Sequence, residues 1–304
     1  MKIKVTIGVC LRNCEKEVEK IIDRLAEQDF PHENMEIIFV EDGSFDGTLS
    51  SILKNASKLD IKHKILPQVW RGLGYSRNLV SKHSQGKYIV WVDDGTLVPK
   101  DYIKKQIEFM DKNPKVGIVR GTIGLYVGSS HVASLENMGQ LVFSHKYAGK
   151  NETKLPGAGG SVYRAKAVKQ VRGFDENIKG ATEDSDIVYR ILLAGWQIYI
   201  TPIKFSINYD ESFRKIWRKN LWYGHGTHYF IHKHKFFGDM AYRITPLAGF
   251  LQGIFVSFSA YKLTRKKTAF LLPIYTSIKM SAFFWGFINS HLESYGHNRE
   301  SVLR

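Results

Sequence analysis

The stretch Gly86-Lys-Tyr-Ile-Val-Trp-Val-Asp-Asp-Gly95 gives the clearest indication of fold in this sequence of 304 residues. Its apolar, β-prone residues Tyr88–Val92 predict a buried strand, and the acids and glycine that follow predict where the strand ends. Ligands of open α/β sheets bind beyond the carboxyl ends of the parallel strands. Asp93 and Asp94 are therefore candidates for a functional site.

Short β-prone segments and longer helical patterns alternate from residue 3 to about residue 120. This alternation predicts an α/β fold, a Rossmann-like and mainly parallel sheet with helices on both faces. The other predicted strands are Val5–Leu11, Glu36–Val40, Lys62–Leu66, the short Val162-Tyr163 and Gln197–Thr201. The predicted helices are Glu15–Gln28, Thr48–Leu59, Arg77–His83, Ala165–Val171 and Glu183–Leu193.

Two pairs of acids suit chemistry on a phosphate-bearing substrate. Asp93 and Asp94 suit Mg²⁺ or Mn²⁺, because hard divalent cations prefer carboxylate oxygens and bridge to phosphates. Adjacent acids at the end of a buried strand repel each other, which favours a bound cation over the alternative of an ordinary turn. Asp184, beside Glu183 at a predicted helix start, is a candidate general base. Helix capping by Thr182 or Asp184 explains the same spacing equally well.

Two further loops carry polar side chains at strand ends. Glu41-Asp42-Gly43-Ser44 would in isolation be a turn with a helix cap, but its position after a predicted strand favours a site. Arg71, Arg77 and Asn78 belong to a glycine-containing segment. Glycines let the backbone approach a ligand, and arginine offers a planar fork to phosphate or ribose. Taken alone, this segment does not indicate one particular ligand or function.

These segments occur in an order that resembles the family 2 glycosyltransferases over roughly residues 3–225. Val-Thr-Ile-Gly-Val-Cys-Leu-Arg-Asn-Cys-Glu at 5–15 and Glu-Asp-Gly-Ser-Phe-Asp-Gly-Thr at 41–48 are similar to that family's first strand with its loop and to its acidic turn. Gly-Tyr-Ser-Arg-Asn at 74–78 resembles its A-R-N segment, and residues 86–95 resemble the strand that ends in its D-x-D motif. Gly-Gly-Ser-Val-Tyr-Arg at 159–164, Gly-Phe-Asp-Glu at 173–176 and Glu183-Asp184 are similar to its acceptor-side segment and E-D motif.

The resemblance implies a GT-A fold and an inverting transfer of a sugar from a UDP or GDP donor to an acceptor hydroxyl. It implies that Asp184 deprotonates the acceptor, that Asp42 contacts the base or ribose, and that Asp93 belongs to the metal and diphosphate site. The D-x-D motif becomes Asp93-Asp94-Gly95 here, so Asp94 is expected to be the second ligand of a Mg²⁺ or Mn²⁺ ion. The implied donor-binding residues are Asn13, Glu15, Glu41, Asp42, Arg77, Asn78, Asp93 and Glu183.

The composition changes after residue 212, which predicts a catalytic domain at 1–212 and a membrane-associated helical module at 213–304. Ile244–Tyr261 has no charged residue over 18 positions, and Thr268–Asn289 is similar apart from Pro273 and Lys279. A hairpin that crosses from the cytoplasm would place the basic residues between these runs on the outer side, against the positive-inside tendency, so we favour a shallow or re-entrant hairpin. A two-span hairpin and a soluble helical pair remain open alternatives.

Four histidines, His225, His228, His232 and His234, lie in the basic segment that precedes the apolar runs. Helical spacing would place some of them on one face, as in a metal site. The interleaved lysines and glycines, and the lack of a nearby acid, favour an interfacial helix instead. Its aromatic residues are Trp217, Trp222, Tyr223, Tyr229, Phe230, Phe236 and Phe237.

The charge balance limits the classes of partner. Lysine and arginine number 44 against 29 acids, which gives a formal net charge of +15 and predicts anionic partners. Positive charge beside apolar helices favours a membrane surface at its cytoplasmic face, with a lipid-linked glycan or polyprenyl phosphate as acceptor, over nucleic acid. A non-catalytic module that binds a nucleotide sugar and a membrane is the competing class. The spacing of Cys10 and Cys14 fits neither a redox motif nor a zinc site, which favours a reducing compartment.

Overall fold

The computed structural model describes residues 3–124, 130–151, 156–178, 181–208, 212–235 and 244–293. Phe236 and Phe237, assigned above to an interfacial helix, lie outside these ranges. The chain divides into two compact units. Unit 1 comprises Met1–Gly124, Tyr147–Glu176 and Glu183–Ile207, and unit 2 comprises Leu125–Lys146, Asn177–Thr182 and Asn208–Arg304. The functional boundary proposed at residue 212 stays a prediction.

Unit 1 is built on one nine-stranded sheet with the strand order β3-β2-β1-β4-β8-β6-β9-β5, in which β7 also pairs with β9. The strands are β1 (Val5–Leu11), β2 (Met35–Asp42), β3 (Lys62–Gln68), β4 (Tyr88–Trp91), β5 (Thr96–Leu97), β6 (Val116–Ile123), β7 (Lys150–Asn151), β8 (Ser161–Arg164) and β9 (Gln197–Ile207). The first four strands in chain order are parallel, as predicted. The sheet is mixed beyond β4, because β8 runs antiparallel to both β4 and β6.

Helices cover both faces of this sheet, which confirms the predicted fold class. The helices of unit 1 are α1 (Glu15–Ala26), α2 (Thr48–Ala56), α3 (Leu73–His83), α4 (Tyr102–Lys112), α6 (Ala165–Gln170) and α7 (Glu183–Leu193). Side chains alternate along β2, so Ile37 and Phe39 pack with α1, α2 and α4, whereas Ile38 and Val40 pack with α3, α6 and α7. Strands β2 and β4, at whose carboxyl ends the acidic loops lie, are therefore packed between two layers of helices.

Helix α3 begins four residues before the predicted start. Gly72 turns the chain into the helix with a φ of +92°, a conformation open mainly to glycine. The glycine-rich segment that suggested a loop thus includes the first turn of the helix. Arg77 and Asn78 project from the second turn of α3 as a result.

Unit 2 is helical in the residues that the structure describes. Its helices are most of α5 (His131–Tyr147), then α8 (Phe213–His234), α9 (Pro246–Thr264) and α10 (Leu272–Leu292). Helices α9 and α10 form an antiparallel hairpin, in which Thr276 donates a 2.8 Å hydrogen bond to the carbonyl of Gly249 and Ser277 donates one of 3.1 Å to that of Pro246. Leu135, Met138, Ile216, Ala260, Leu272 and Tyr275 belong to its core.

One stretch of this unit, Lys267–Leu292, is long and apolar enough to cross a membrane. Among the described residues, the helix Pro246–Thr264, which holds most of the other apolar run, does not combine the length and hydropathy needed to cross one. Many large apolar side chains of the hairpin are exposed instead of packed, including Leu247, Leu251, Phe255, Phe258, Leu271, Ile274 and Trp285. The hairpin therefore presents apolar surface of a kind that usually meets a membrane or a partner.

Candidate active site

Arg77 lies at the centre of the acidic cluster in unit 1. Its side chain is only 2% exposed, and its guanidinium donates to Asp93 Oδ1 at 3.1 Å and to Glu183 Oε1 in a closer contact. The aromatic rings of Trp91 and Phe174 each lie 5.7 Å from the guanidinium carbon. One buried arginine thus joins the loop after β4 to the start of α7.

The electrostatics of Arg77 and Cys10 show that the predicted acids converge. Burial by itself would lower the pKa of Arg77, but Glu183, Asp93 and Asp184 together raise it. Burial is the main cause that raises the pKa of the Cys10 thiol. The negative charges of Asp93 and Asp42 lie close enough to raise it further. Acids from three separate sequence segments therefore surround one point of the sheet edge.

The carboxylate of Asp184 bridges the start of α7 and the glycine-rich segment before β8. Its Oδ2 accepts a 3.2 Å hydrogen bond from the backbone N–H of Ala158, and its Oδ1 accepts one of 2.7 Å from Ser185. Thr182, the alternative cap, instead donates its hydroxyl to the carbonyl of Gly226. Asp184 therefore does not cap α7 in the usual way, through the N–H two or three residues later.

Asp93 is half-buried and paired with Arg77, whereas Asp94 is exposed. Arg77 holds Asp93 Oδ1, and the segment before β8 passes close to Asp93 Oδ2 at Gly159. A Cβ atom at Gly159 would lie 2.7 Å from that oxygen, so only glycine fits there without a shift. Asp94 accepts a 2.9 Å hydrogen bond from the N–H of Gly95 and faces solvent. The two acids therefore differ in their exposure to solvent.

Asp42, at the end of β2, organises the loop that follows β3. Its Oδ1 accepts hydrogen bonds from the backbone N–H of Arg71 at 3.0 Å and from Gln68 Nε2 at 2.8 Å. The guanidinium of Arg71 stacks on Tyr75, and that of Arg12 lies 5.3 Å from the ring of Trp70. An arginine and aromatic surface thus borders Asp42.

Several predicted donor-binding residues hold loop backbone in this structure. Asn13 Oδ1 accepts from the N–H of Phe45, Glu15 from that of Gly47, and Glu41 from that of Ser44. Asn78 both donates to the carbonyl and accepts from the N–H of Phe174. These contacts fix the loops that border the acids, and a direct contact of these residues with a donor stays a prediction.

Sequence reasoning missed four residues of this region. Gln68 and Trp70 lie outside the segments that resemble the family, whereas Arg12 and Gly159 lie within such segments but were given no role. The pairing of β8 with β4 brings Gly159 beside Asp93, and no local pattern encodes that pairing. Arg12 was detectable in principle, because it directly follows β1 at the same sheet edge as Asp42 and Asp93.

Comparison with known proteins identifies relatives in sequence. The family model described as Glycosyl transferase family 2 matches residues 6–172, more than half of the chain. The poly(ribitol-phosphate) beta-N-acetylglucosaminyltransferase TarS of Staphylococcus aureus is 32% identical over 36% of this chain and 19% of its own length. The poly-beta-1,6-N-acetyl-D-glucosamine synthase of Staphylococcus aureus is 26% identical over 77% of this chain and 57% of its own length. The chain thus spans only part of these two relatives.

Comparison with solved structures identifies the fold. The mannosyltransferase PcManGT from Pyrobaculum calidifontis, solved with GDP-Man and Mn²⁺, matches over 97% of this chain and 88% of its own, with a TM-score of 0.68 and 17% identity. TarS 1–349 of S. aureus, solved with UDP-GlcNAc, matches over 97% and 93%, with a TM-score of 0.56 and 19% identity. The chain therefore has the GT-A fold. Together with the family match, this fold shows that the chain belongs to glycosyl transferase family 2.

Proposed function

We propose that the chain is an inverting hexosyltransferase that moves a sugar from a UDP or GDP donor to an acceptor hydroxyl. The observation that carries this proposal is the convergence of Asp93, Glu183 and Asp184 on Arg77 in a family 2 fold. Asp184 is assigned as the general base, because it lies at this cluster without capping its helix. It takes the acceptor proton as the hydroxyl attacks the anomeric carbon in line with the departing diphosphate.

The donor set at Asp93 and Asp94 fits a hard divalent cation. Mg²⁺ is commonly held by one or two carboxylates together with substrate phosphates, so a third protein ligand is not required. The guanidinium of Arg77 contacts Asp93 and Glu183, and Asp184 lies within electrostatic range of it. Burial raises the pKa of Glu183 to about 8, but Asp93, Asp94 and Asp184 together still outnumber this one cation, which leaves negative charge for a metal ion to balance. The ion, when bound, would neutralise charge on the diphosphate leaving group. Mn²⁺ in the mannosyltransferase structure supports this assignment.

We assign the acceptor to the lipid-linked class and the site of action to the cytoplasmic face of the membrane. The exposed apolar side chains of the α9–α10 hairpin support membrane contact. Lys262, Arg265 and Lys267 are exposed around the turn of the hairpin, where they would meet anionic headgroups. A polyprenyl phosphate or a lipid-linked glycan would be presented to the enzyme at such a surface.

Replacing Asp184 by asparagine tests the mechanism. Loss of a general base should lower kcat by about 10²–10⁴-fold while donor binding, measured by thermal shift, stays close to that of the parent. Glu108→Gln, which removes an exposed carboxylate of α4, is the control and should leave both unchanged. An Asp184→Asn variant that folds and transfers sugar as fast as the parent would refute the assignment.

A non-catalytic module that binds nucleotide sugars is the second candidate, and Gly95 in place of the second D-x-D acid favours it. A thermal-shift screen of UDP and GDP, with and without Mn²⁺, identifies the donor class, because a ligand that binds only the folded state stabilises it. Assays of donor hydrolysis and transfer then separate the candidates. A module would bind the donor and leave it intact.

A further inference from the structure

Three histidines of unit 2 come together on two helices. His228 and His232 lie one turn apart on α8, and His291 lies near the end of α10. One ring nitrogen of each falls within 4.8 Å of the others, and His228 Nε2 lies 3.3 Å from His291 Nδ1. Within the described residues, this is the one such group of three among histidine, cysteine and acidic side chains.

Close packing of α8 against α10 creates the cluster. A Cβ atom at Gly224 would overlap the carbonyl oxygen of Phe283, and one at Gly286 would overlap that of Leu221. The two glycines therefore let the helix backbones approach closely. His228 lies one turn beyond Gly224 on the same side of α8, so it reaches α10 at Phe287 and His291.

The separation of His228 Nε2 and His291 Nδ1 suits two ligands of a tetrahedral metal ion. Zinc–nitrogen bonds are about 2.0–2.1 Å long, so tetrahedral geometry places two ligand nitrogens about 3.3 Å apart. His228 and His291 already have this separation. His228 is buried, His232 is half-buried and His291 is exposed, which leaves a solvent side for a fourth ligand such as water. Zinc sites with an open position commonly have three protein ligands and a water molecule as the fourth, and the three imidazoles here match that number.

We propose that His228, His232 and His291 bind a zinc-class transition-metal ion that ties α8 to the end of α10. Imidazole nitrogen suits Zn²⁺, Cu²⁺ and Ni²⁺, whereas Mg²⁺ and Mn²⁺ prefer oxygen. The cluster is therefore chemically distinct from the carboxylates at Asp93 and Asp94. A direct hydrogen bond between the rings of His228 and His291 is the competing explanation of their contact.

Titration of the metal-free, full-length chain with Zn²⁺ tests this proposal, provided that no histidine tag remains. Isothermal calorimetry should show one saturable site with a stoichiometry near one, and the melting temperature should rise with Zn²⁺ concentration. His291→Ala, at an exposed position, should abolish that site, as should His232→Ala. His234→Ala lies on the same helix outside the cluster and should retain it. Asp93→Asn should also retain it.

Co²⁺ substitution supplies a second readout that does not depend on activity. The visible absorption of a tetrahedral Co²⁺ complex should appear in the parent and in His234→Ala and be absent in His291→Ala. Variants with the same melting temperature as the parent in EDTA are folded well enough to be compared. Absence of saturable Zn²⁺ binding in the parent, or unchanged binding in His291→Ala and His232→Ala, would overturn the proposal.

Discussion

The carboxylate of Asp93 is held between the guanidinium of Arg77 and the backbone at Gly159. Position 159 consequently has no room for a side chain. Gly159 thus matters to the site through its small size, because it has no functional group of its own. Position 157 is different, because a Cβ atom there would meet Asp184 Oδ2 at 3.5 Å, an ordinary van der Waals distance. Comparing an alanine substitution at position 159 with one at position 157 therefore distinguishes crowding of Asp93 from the general effect of an added methyl group in this segment.

Gly159→Ala should displace the carboxylate of Asp93 and weaken binding of Mn²⁺ with a nucleoside diphosphate by roughly tenfold or more, since overpacking a tight site by one methyl costs about 1–3 kcal/mol. The thermal shift produced by the nucleotide with Mn²⁺ measures this loss. Gly157→Ala is the matched control and should retain most of the shift. Equal shifts in the two variants would mean that Asp93 is not part of the binding site.

At the scale of elements, α4 is fastened to the sheet by Asp111. Its carboxylate accepts hydrogen bonds from Tyr88 at 2.7 Å and from Lys87 at 2.8 Å, and Lys4 lies 2.8 Å from its other oxygen. Burial alone would raise the pKa of Asp111, but these hydrogen bonds hold it well below its ordinary value of 3.8. A carboxyl group with a depressed folded-state pKa stabilises the fold above its unfolded pKa and loses that effect as the pH falls.

Asp111→Asn should therefore destabilise the protein at neutral pH and reduce its sensitivity to acid. Urea unfolding at about pH 6 and about pH 3.5 should show a smaller difference between the two pH values for the variant than for the parent. The control is Glu108→Gln on the same helix, which should keep the parent's acid sensitivity. An unchanged pH difference in Asp111→Asn would show that these hydrogen bonds do not stabilise the folded state.

Helices α5 and α10 are joined by an ion pair that is largely shielded from solvent. Lys279, the charge that interrupts the second apolar run, contacts Glu136, which also accepts a 2.8 Å hydrogen bond from Tyr275. Lys279 can lie on an apolar helix because the carboxylate of Glu136 balances its charge. Glu136 belongs to α5, a helix that the sequence did not predict. The segment Lys267–Leu292 can thus be apolar on one side and contact α5 through Lys279.

Glu136→Gln should lower the stability of the protein by about 1.5–3 kcal/mol, because Lys279 would lose its charged partner. Lys279→Met should lower it as well but by less, because Glu136 keeps the weaker attraction of Lys219 and the hydrogen bond from Tyr275. The double variant should be more stable than the sum of the two losses predicts, since neither charge remains without its partner. Unfolding followed by tryptophan fluorescence measures all three, and strictly additive losses would contradict a direct interaction.

At the scale of the whole molecule, the excess of positive charge and the exposed apolar hairpin predict binding to anionic membranes. Each basic residue near such a surface contributes about 1 kcal/mol at moderate ionic strength. Replacing Lys262, Arg265, Lys266 and Lys267 by glutamine should therefore weaken binding to vesicles that contain phosphatidylglycerol by roughly a hundredfold or more. Flotation of the full chain with these vesicles, compared with pure phosphatidylcholine, measures the effect.

The matched control removes the same number of charges from exposed lysines of unit 1, namely Lys16, Lys20, Lys54 and Lys104. Binding by the control should stay near that of the parent. Added salt should weaken the parent more than the hairpin variant, because only headgroup attraction is screened. Equal losses in the two variants would mean that net charge alone, and not the hairpin, determines binding.

The sequence by itself determined the family and several local elements, but not helices α4 and α5 or strand β6. Strand β1 and helix α7 occupy the predicted residues, because periodicity and terminating residues depend only on neighbours a few positions away. The acids were predictable as candidates for the same reason, since strand ends can be recognised locally and parallel strands end at one edge. The glycine-rich segment before Arg77 was ambiguous, because its glycines suit a loop and a helix start equally.

Only the tertiary structure decided which distant side chains meet. Arg77 and Glu183 are 106 positions apart, His228 and His291 are 63 apart, and Glu136 and Lys279 are 143 apart. Contacts at these separations depend on which strand pairs with which and on how closely helices pack, and these depend on the burial of the whole apolar surface. The acids could thus be recognised from sequence as candidates, whereas Gly159 beside Asp93 and His291 beside His228 required the folded chain.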